Sequence, residues 1–150
     1  MRTVIQRVKY ASVTIDNTIE SKIGDGLVLF IGIEDADNQA DIEWLTKKIA
    51  NLRIFDDKDG VMNKSVIDIC GDVLIISQFT LHAMTKKNNR PSYVRAAKSE
   101  KAIPIYDHFC SEMSIQLGHD VKTGIFGADM KVELLNDGPV TIWIDTKNKE

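Results

Sequence analysis

The sequence predicts an α+β fold: a β-barrel-like curved sheet with two main helices. Three observations carry the prediction. The elements run strands, helix, strands, helix, strands, and this order disfavours a doubly wound parallel sheet. Two short apolar runs, Leu27-Val28-Leu29-Phe30-Ile31-Gly32-Ile33 and Val73-Leu74-Ile75-Ile76, read as strands buried on both faces. The 150 residues hold no repeat, low-complexity tract or Pro/Gly/Ser linker, so residues 1–150 are expected to form one domain.

The elements follow in order. Residues 1–8 alternate, with Val4, Gln6 and Val8 on one face and Thr3, Ile5 and Arg7 on the other, and residues 11–16 alternate again. Gly24-Asp25-Gly26 is a turn before the first buried run. A helix is predicted over about residues 38–52, with Ile42, Leu45, Ile49 and Leu52 as its apolar stripe. Asp41 and Glu43 lie early in it and Lys47 and Lys48 late, matching the helix dipole. Residues 52–55 look extended, and Asp56-Asp57-Lys58-Asp59-Gly60 forms a turn. The second buried run leads into Ser77-Gln78-Phe79-Thr80-Leu81, then a polar loop over residues 85–91. A second helix is expected over residues 100–117, with Ser99 as N-cap. Pro104 suits only a first turn, so that helix should kink or start late. Two strands close the chain, residues 130–135 and 140–145, joined by a turn at Asn136-Asp137-Gly138-Pro139.

Composition narrows the function classes. A hydrophobic fraction of 43% supplies a core without disulfides or metals. Cys70 and Cys110 lie far apart and form no C-x-x-C pair, so they read as reduced thiols. Arg7 and Lys9 interrupt the opening segment, which excludes a signal-peptide reading, and the longest apolar run is too short to span a bilayer. A cytoplasmic protein with no membrane contact is the expectation. A net charge of −3 argues against gripping a long nucleic-acid backbone, and leaves room for a small local contact. The one basic cluster is Lys86-Lys87-Asn88-Asn89-Arg90, with Arg95 and Lys98 nearby.

The acidic turn at residues 56–60 fails as a calcium loop. With Gly60 at the sixth loop position, Phe55 and Val66 stand where carboxylates are required. His82, His108 and His119 lack metal-ligand spacing and read as structural or surface residues. No nucleophile elbow, P-loop or dinucleotide fingerprint is present. Ser77-Gln78-Phe79-Thr80 leaves a buried strand, where a rigid element aims a loop, and its backbone N–H groups are candidate oxyanion donors. Thr80 would need a neighbouring base to act as a nucleophile, and the sequence shows none.

Ser77-Gln78-Phe79-Thr80-Leu81 and Asn136-Asp137-Gly138-Pro139-Val140-Thr141, in this order, resemble the two signature motifs of the D-aminoacyl-tRNA deacylases. Agreement continues at Ala11-Ser12-Val13, Leu52-Arg53-Ile54-Phe55, Asn89-Arg90-Pro91-Ser92 and Thr123-Gly124-x-Phe126-Gly127-Ala128-x-Met130, so the likeness covers the whole chain. It implies a homodimer with a barrel-like core, acting on the 3′ end of aminoacyl-tRNA without metal or cofactor. Such enzymes hydrolyse the ester between a D-amino acid, or mischarged glycine, and the terminal adenosine. By resemblance, Ser77, Gln78, Phe79 and Thr80 are the catalytic segment. Gly138 and Pro139 form a cis pair that reaches into the partner subunit's site and excludes L-amino acids. Phe126, Ala128 and Met130 line the adenosine pocket. Two accounts of hydrolysis stay open, a Thr80 nucleophile and activation by the ribose hydroxyl of the tRNA; the lack of a base favours the second. Asn88 stands where the family usually has Gly, and Pro104 where a helix former is expected. The rival readings are a non-catalytic RNA-end binding module and a generic esterase indifferent to chirality.

Overall fold

The computed structural model describes residues 1–87 and 89–150; the Asn88 departure lies outside the described residues. The chain builds β1 (Arg2–Ile15), β2 (Thr18–Ile23), β3 (Gly26–Gly32), α1 (Gln39–Asn51), β4 (Phe55–Asp56), β5 (Met62–Lys64), β6 (Asp72–Ser77), a short 3-10 helix (Phe79–His82), α2 (Ser99–Leu117), β7 (Lys122–Thr123) and β8 (Lys131–Asp145). The main sheet runs β2-β1-β3-β6-β7, with β8 added along β1. β3 and β6 are parallel neighbours in its middle, and both are buried on each face as their unbroken apolar runs demand.

Two apolar cores lie on opposite sides of these central strands. One joins Ile5, Leu29, Ile31 and Ile75 to Ile42, Leu45 and Ile49 of α1 and to Phe109 and Met113 of α2. The other holds Val8, Ala11, Val13, Val28, Leu74 and Ile76. Here the second half of β1 and the first half of β8 curl back over the sheet, which gives the barrel-like form.

Several expectations are corrected. β1 is one strand of 14 residues, not two. Its inward phase changes between Ile5 and Ala11, at irregularities in the β1–β8 register beside Val8. The same is true of β8. Residues 136–139 do not form a turn between two strands; they belong to one 15-residue strand. Gln6 pairs with Thr141 and Val8 with Asn136, so five steps on β8 face two on β1. The segment is therefore an enlarged bulge that places three extra residues on β8. β2, a polar edge strand, and the small β4–β5 ribbon around the acidic turn were not anticipated.

α1 matches its prediction. Asn38 Oδ1 accepts the Ala40 N–H at 2.9 Å and Asp41 Oδ2 accepts the Asn38 N–H at 3.0 Å, a reciprocal cap. α2 starts one residue early. Lys98 is its N-cap and makes no side-chain cap bond, so Ser99 is the first helical residue rather than the cap. Pro104 sits inside the continuous helix, which neither starts late nor breaks there. Tyr106 then anchors α2 to the sheet, its hydroxyl donating to Ile75 O at 2.7 Å in a buried setting.

Candidate active site

β6 is rigid because it is buried, and it ends at Ser77 beside Ile31 of β3. The Gln78 N–H donates to Ile31 O at 2.7 Å, which pins the first residue beyond the strand. The chain then turns into the 3-10 helix. Leu81 N–H closes its first turn on Gln78 O at 3.2 Å, and Ala83 N–H bonds Thr80 O at 3.0 Å. The amides of Phe79 and Thr80 lead this helix and have no acceptor among the described residues, as the first donors of a helix must unless capped. Gly32 allows the close seating: a Cβ there would stand about 3.0 Å from both Gln78 O and the Leu81 Cβ. Arg2 holds the far end, its guanidinium donating to Leu81 O at 3.0 Å and pairing with Asp145 at 2.9 Å.

The turn borders a cavity of about 260 Å³. Ser77, Gln78 and Phe79 line one side, Phe126, Ala128 and Met130 another, with Ile31, Ile33 and Ile76 behind. Sequence positions about fifty residues apart thus meet at one mouth, and the mostly apolar walls suit a small ligand. Phe126 is held edge-on against Tyr106, ring centroids 5.7 Å apart. Burial drives the Tyr106 hydroxyl far above its ordinary range, so it stays a donor to Ile75 O. Burial likewise pushes the Cys110 thiol up to about 12, leaving it inert as a nucleophile.

Thr80 lies just outside the cavity lining. Its Oγ1 accepts from Gln78 Nε2 at 2.5 Å. An amide N–H cannot take a proton from that hydroxyl, so this partner does not activate it. His82, two residues on, is fully buried, and neither ring nitrogen makes a well-formed hydrogen bond among the described residues. Burial pushes its pKa below the usual histidine range, opposed by the Gly32 backbone and by Glu34. No group of three or more His, Cys, Asp or Glu able to hold a metal occurs among the described residues. Among the described residues, no helix is long and apolar enough to cross a membrane.

The second motif is elsewhere. The Gly138–Pro139 peptide bond is cis, Gly138 has φ +125°, and both residues are exposed. Neither lines the cavity. The bulge sits beside Val8, which pairs with Gly26 at the start of β3, while the cavity lies at the other end, near Ile31. Five residues of strand, about 17 Å, separate those levels. The bulge is nevertheless tightly laced. Asn136 Nδ2 donates to Arg7 O and Val140 O, both at 2.9 Å. Arg7 Nε donates to Asp137 O at 3.1 Å, and its Nη1 to Ile54 O at 2.7 Å.

Arg7 is the residue that sequence reading missed. It is 6% exposed, unusual for arginine, and it holds the bulge from behind. Its place on the inward face of an alternating strand, opposite the Asn-x-Gly-Pro segment, was the available signal.

A turn with unbonded backbone amides at the rim of an apolar cavity, carried on a curled α+β barrel, has the dimensions for a small ligand rather than a broad nucleic-acid groove. The comparisons with known proteins are more specific. The profile of the D-Tyr-tRNA(Tyr) deacylase family matches residues 4–145. Proteins named D-aminoacyl-tRNA deacylase from Parabacteroides distasonis, Bacteroides fragilis and Flavobacterium psychrophilum are 66%, 65% and 63% identical, each over the full length of both chains. The solved structure of a protein named c-Myc DNA Unwinding Element Binding Protein superposes with a TM-score of 0.91 at 39% identity, covering 97% of this chain and 98% of its own. One described as a probable eukaryotic D-amino acid tRNA deacylase gives 0.82 at 17% identity, covering 95% and 97%, and shows the shared fold. The chain belongs to the D-Tyr-tRNA(Tyr) deacylase family, a family of hydrolases.

Proposed function

We propose that the protein hydrolyses the ester of D-aminoacyl-tRNA, releasing the D-amino acid and leaving the tRNA free for recharging. The observation that carries this reading is the pair of free amide donors at Phe79 and Thr80 beside an apolar cavity. A carbonyl placed at that rim would develop negative charge as water adds, and each fixed donor aimed at it contributes about 2.7–4 kcal/mol. Phe126, Ala128 and Met130 would receive the terminal adenosine. The ribose hydroxyl next to the ester would then assist the attack, because the Thr80 hydroxyl faces a donor and no base. In this reading the enzyme would act in the cytoplasm, on its tRNA substrate.

Selectivity in this reading comes from Gly138 and Pro139. An L-side chain would run into their carbonyls, while a D-amino acid or glycine would not, so discrimination works by exclusion. Since the bulge lies at the wrong end of β3 to serve its own cavity, it would serve the cavity of a second copy, in a homodimer with shared sites.

The test is chiral. Purified protein should release D-tyrosine and glycine from tRNA and spare L-tyrosine. Equal hydrolysis of both enantiomers would instead indicate a generic esterase. The second reading, binding without turnover, is favoured by the likeness at 39% identity to a protein named for binding DNA. Retention of charged RNA with no release of amino acid would support it.

A further inference from the structure

The cavity accounts for a terminal nucleoside, but not for the ground beside its mouth. From Val73 to Ser99 the chain carries five cations, Lys86, Lys87, Arg90, Arg95 and Lys98, and no carboxylate, although the whole chain has a net charge of −3. Two aromatic rings stand exposed in the same segment. Phe79 is 55% exposed and Tyr93 38%, and they meet edge to face with centroids 5.0 Å apart. Described residues on either side of its basic loop are tied to the fold. Met84 and Ser92 exchange backbone bonds of 2.8 and 3.1 Å, and Ala97 N–H bonds Ile33 O at 2.9 Å. One of the five cations, Arg95, is already matched by Glu34 at 3.1 Å.

We propose that this strip is a second RNA subsite, which binds the unpaired nucleotides immediately upstream of the terminal adenosine. Bases would stack on the Phe79–Tyr93 pair while Lys86, Lys87 and Arg90 meet the phosphates. The proposal rests on the aminoacyl-tRNA reading for its occupant, and charge and surface chemistry select that occupant. Exposed aromatics interleaved with cations suit single-stranded nucleic acid, whose bases offer a π-face and whose backbone is anionic. Phe79 links the two subsites, because it lines the cavity and also forms one side of the aromatic pair. A mildly acidic protein could thus hold RNA through a contact confined to one short segment.

The probes are an uncharged RNA hairpin with an unpaired 3′ overhang, the same hairpin with a blunt end, D-tyrosyl-tRNA and the minimal ester D-tyrosyl-adenosine. Wild-type protein should prefer the overhang. Tyr93→Ala should weaken overhang binding about tenfold, and Tyr93→Phe should retain it, as stacking requires. For turnover, Tyr93→Ala should raise KM for D-tyrosyl-tRNA about tenfold more than for D-tyrosyl-adenosine, with similar kcat. Replacing Lys86 and Arg90 together by Ala should flatten the salt dependence of overhang binding, lowering the log–log slope by about 1.4. Equal affinity for blunt and overhanging hairpins would overturn the proposal, as would equal losses on both esters. Dissociation of the oligomer in Tyr93→Ala, followed by sedimentation, would make the strip a subunit contact and overturn it too. Overhang binding is read without turnover, so a protein that deacylates nothing would defeat the functional reading and still decide this one.

Discussion

The turn at residues 77–80 is fixed by backbone bonds and the bulge at residues 137–140 by side-chain bonds to backbone carbonyls, yet only the turn borders a cavity of its own chain. The turn faces a cavity made by its own chain. The bulge is laced by Arg7 and Asn136 just as firmly and faces outward. A surface loop without a task is seldom held by a buried guanidinium, whose desolvation must be offset by bonds of good geometry. The difference teaches that rigidity alone does not mark a complete site. The turn has a cavity within its own chain; the bulge has none.

The strongest way to break this comparison is complementation. Phe79→Pro removes one rim donor at a first helical position, where proline is tolerated, and should lower kcat on D-tyrosyl-tRNA by about 100-fold or more. Gly138→Ala places a Cβ 2.8 Å from the Val140 Cγ2 and 3.1 Å from the Arg7 guanidinium, at a φ that disfavours any side chain, and should cost a similar factor. Unfolded together and refolded, the two inactive chains should regain about a quarter of wild-type activity, because half the dimers are mixed and each mixed dimer keeps one intact site. No recovery would mean that turn and bulge serve the same chain.

Arg7→Ala sharpens the comparison next. It loses charge-assisted bonds to Asp137 O and Ile54 O and should cost about 3 kcal/mol, read as a lower urea midpoint. D-tyrosyl-tRNA turnover should fall at least tenfold in protein that remains folded. Selective loss of stability with unchanged turnover would reduce Arg7 to a core residue. Thr80→Ala addresses the turn itself. Activity within about threefold of wild type supports attack assisted by the ribose, whereas a loss of the order expected for a missing nucleophile, 100-fold or more, supports the side chain.

The smallest effect concerns His82 beneath the turn. Its folded pKa lies below the ordinary value of about 6.5, so the unfolded chain binds the extra proton first. Stability should therefore be full above that pH and decline as pH falls below it. His82→Leu should flatten this part of the profile, as measured by thermal unfolding from pH 7.5 to 5.5.

Much of this architecture was legible in the residues. The apolar runs of β3 and β6 and the capped stripe of α1 are strong local signals, and they appear where expected. β1 and β8 were read as broken because alternation fails at their bulges, where a strand moves its inward face from one core to the other. Periodicity cannot distinguish such a phase change from a chain reversal. Pro104 raised an objection that packing overrode, since Ala102, Tyr106 and Phe109 bury α2 on both sides of it. The candidate site was suggested by resemblance to a family and only weakly by chemistry. Backbone donors carry no side-chain signature, and the role of Arg7 depends on a partner 130 residues away.

The bulge at the far end of β3 has one more consequence. A chain that completes its copy's catalytic centre answers to mass action. On that reading, specific activity falls as the enzyme is diluted through its dimer dissociation constant, even while every monomer stays folded. The amount of protein made would then set proofreading capacity more steeply than in proportion, and halving its expression in a dilute compartment would remove more than half of the hydrolysis.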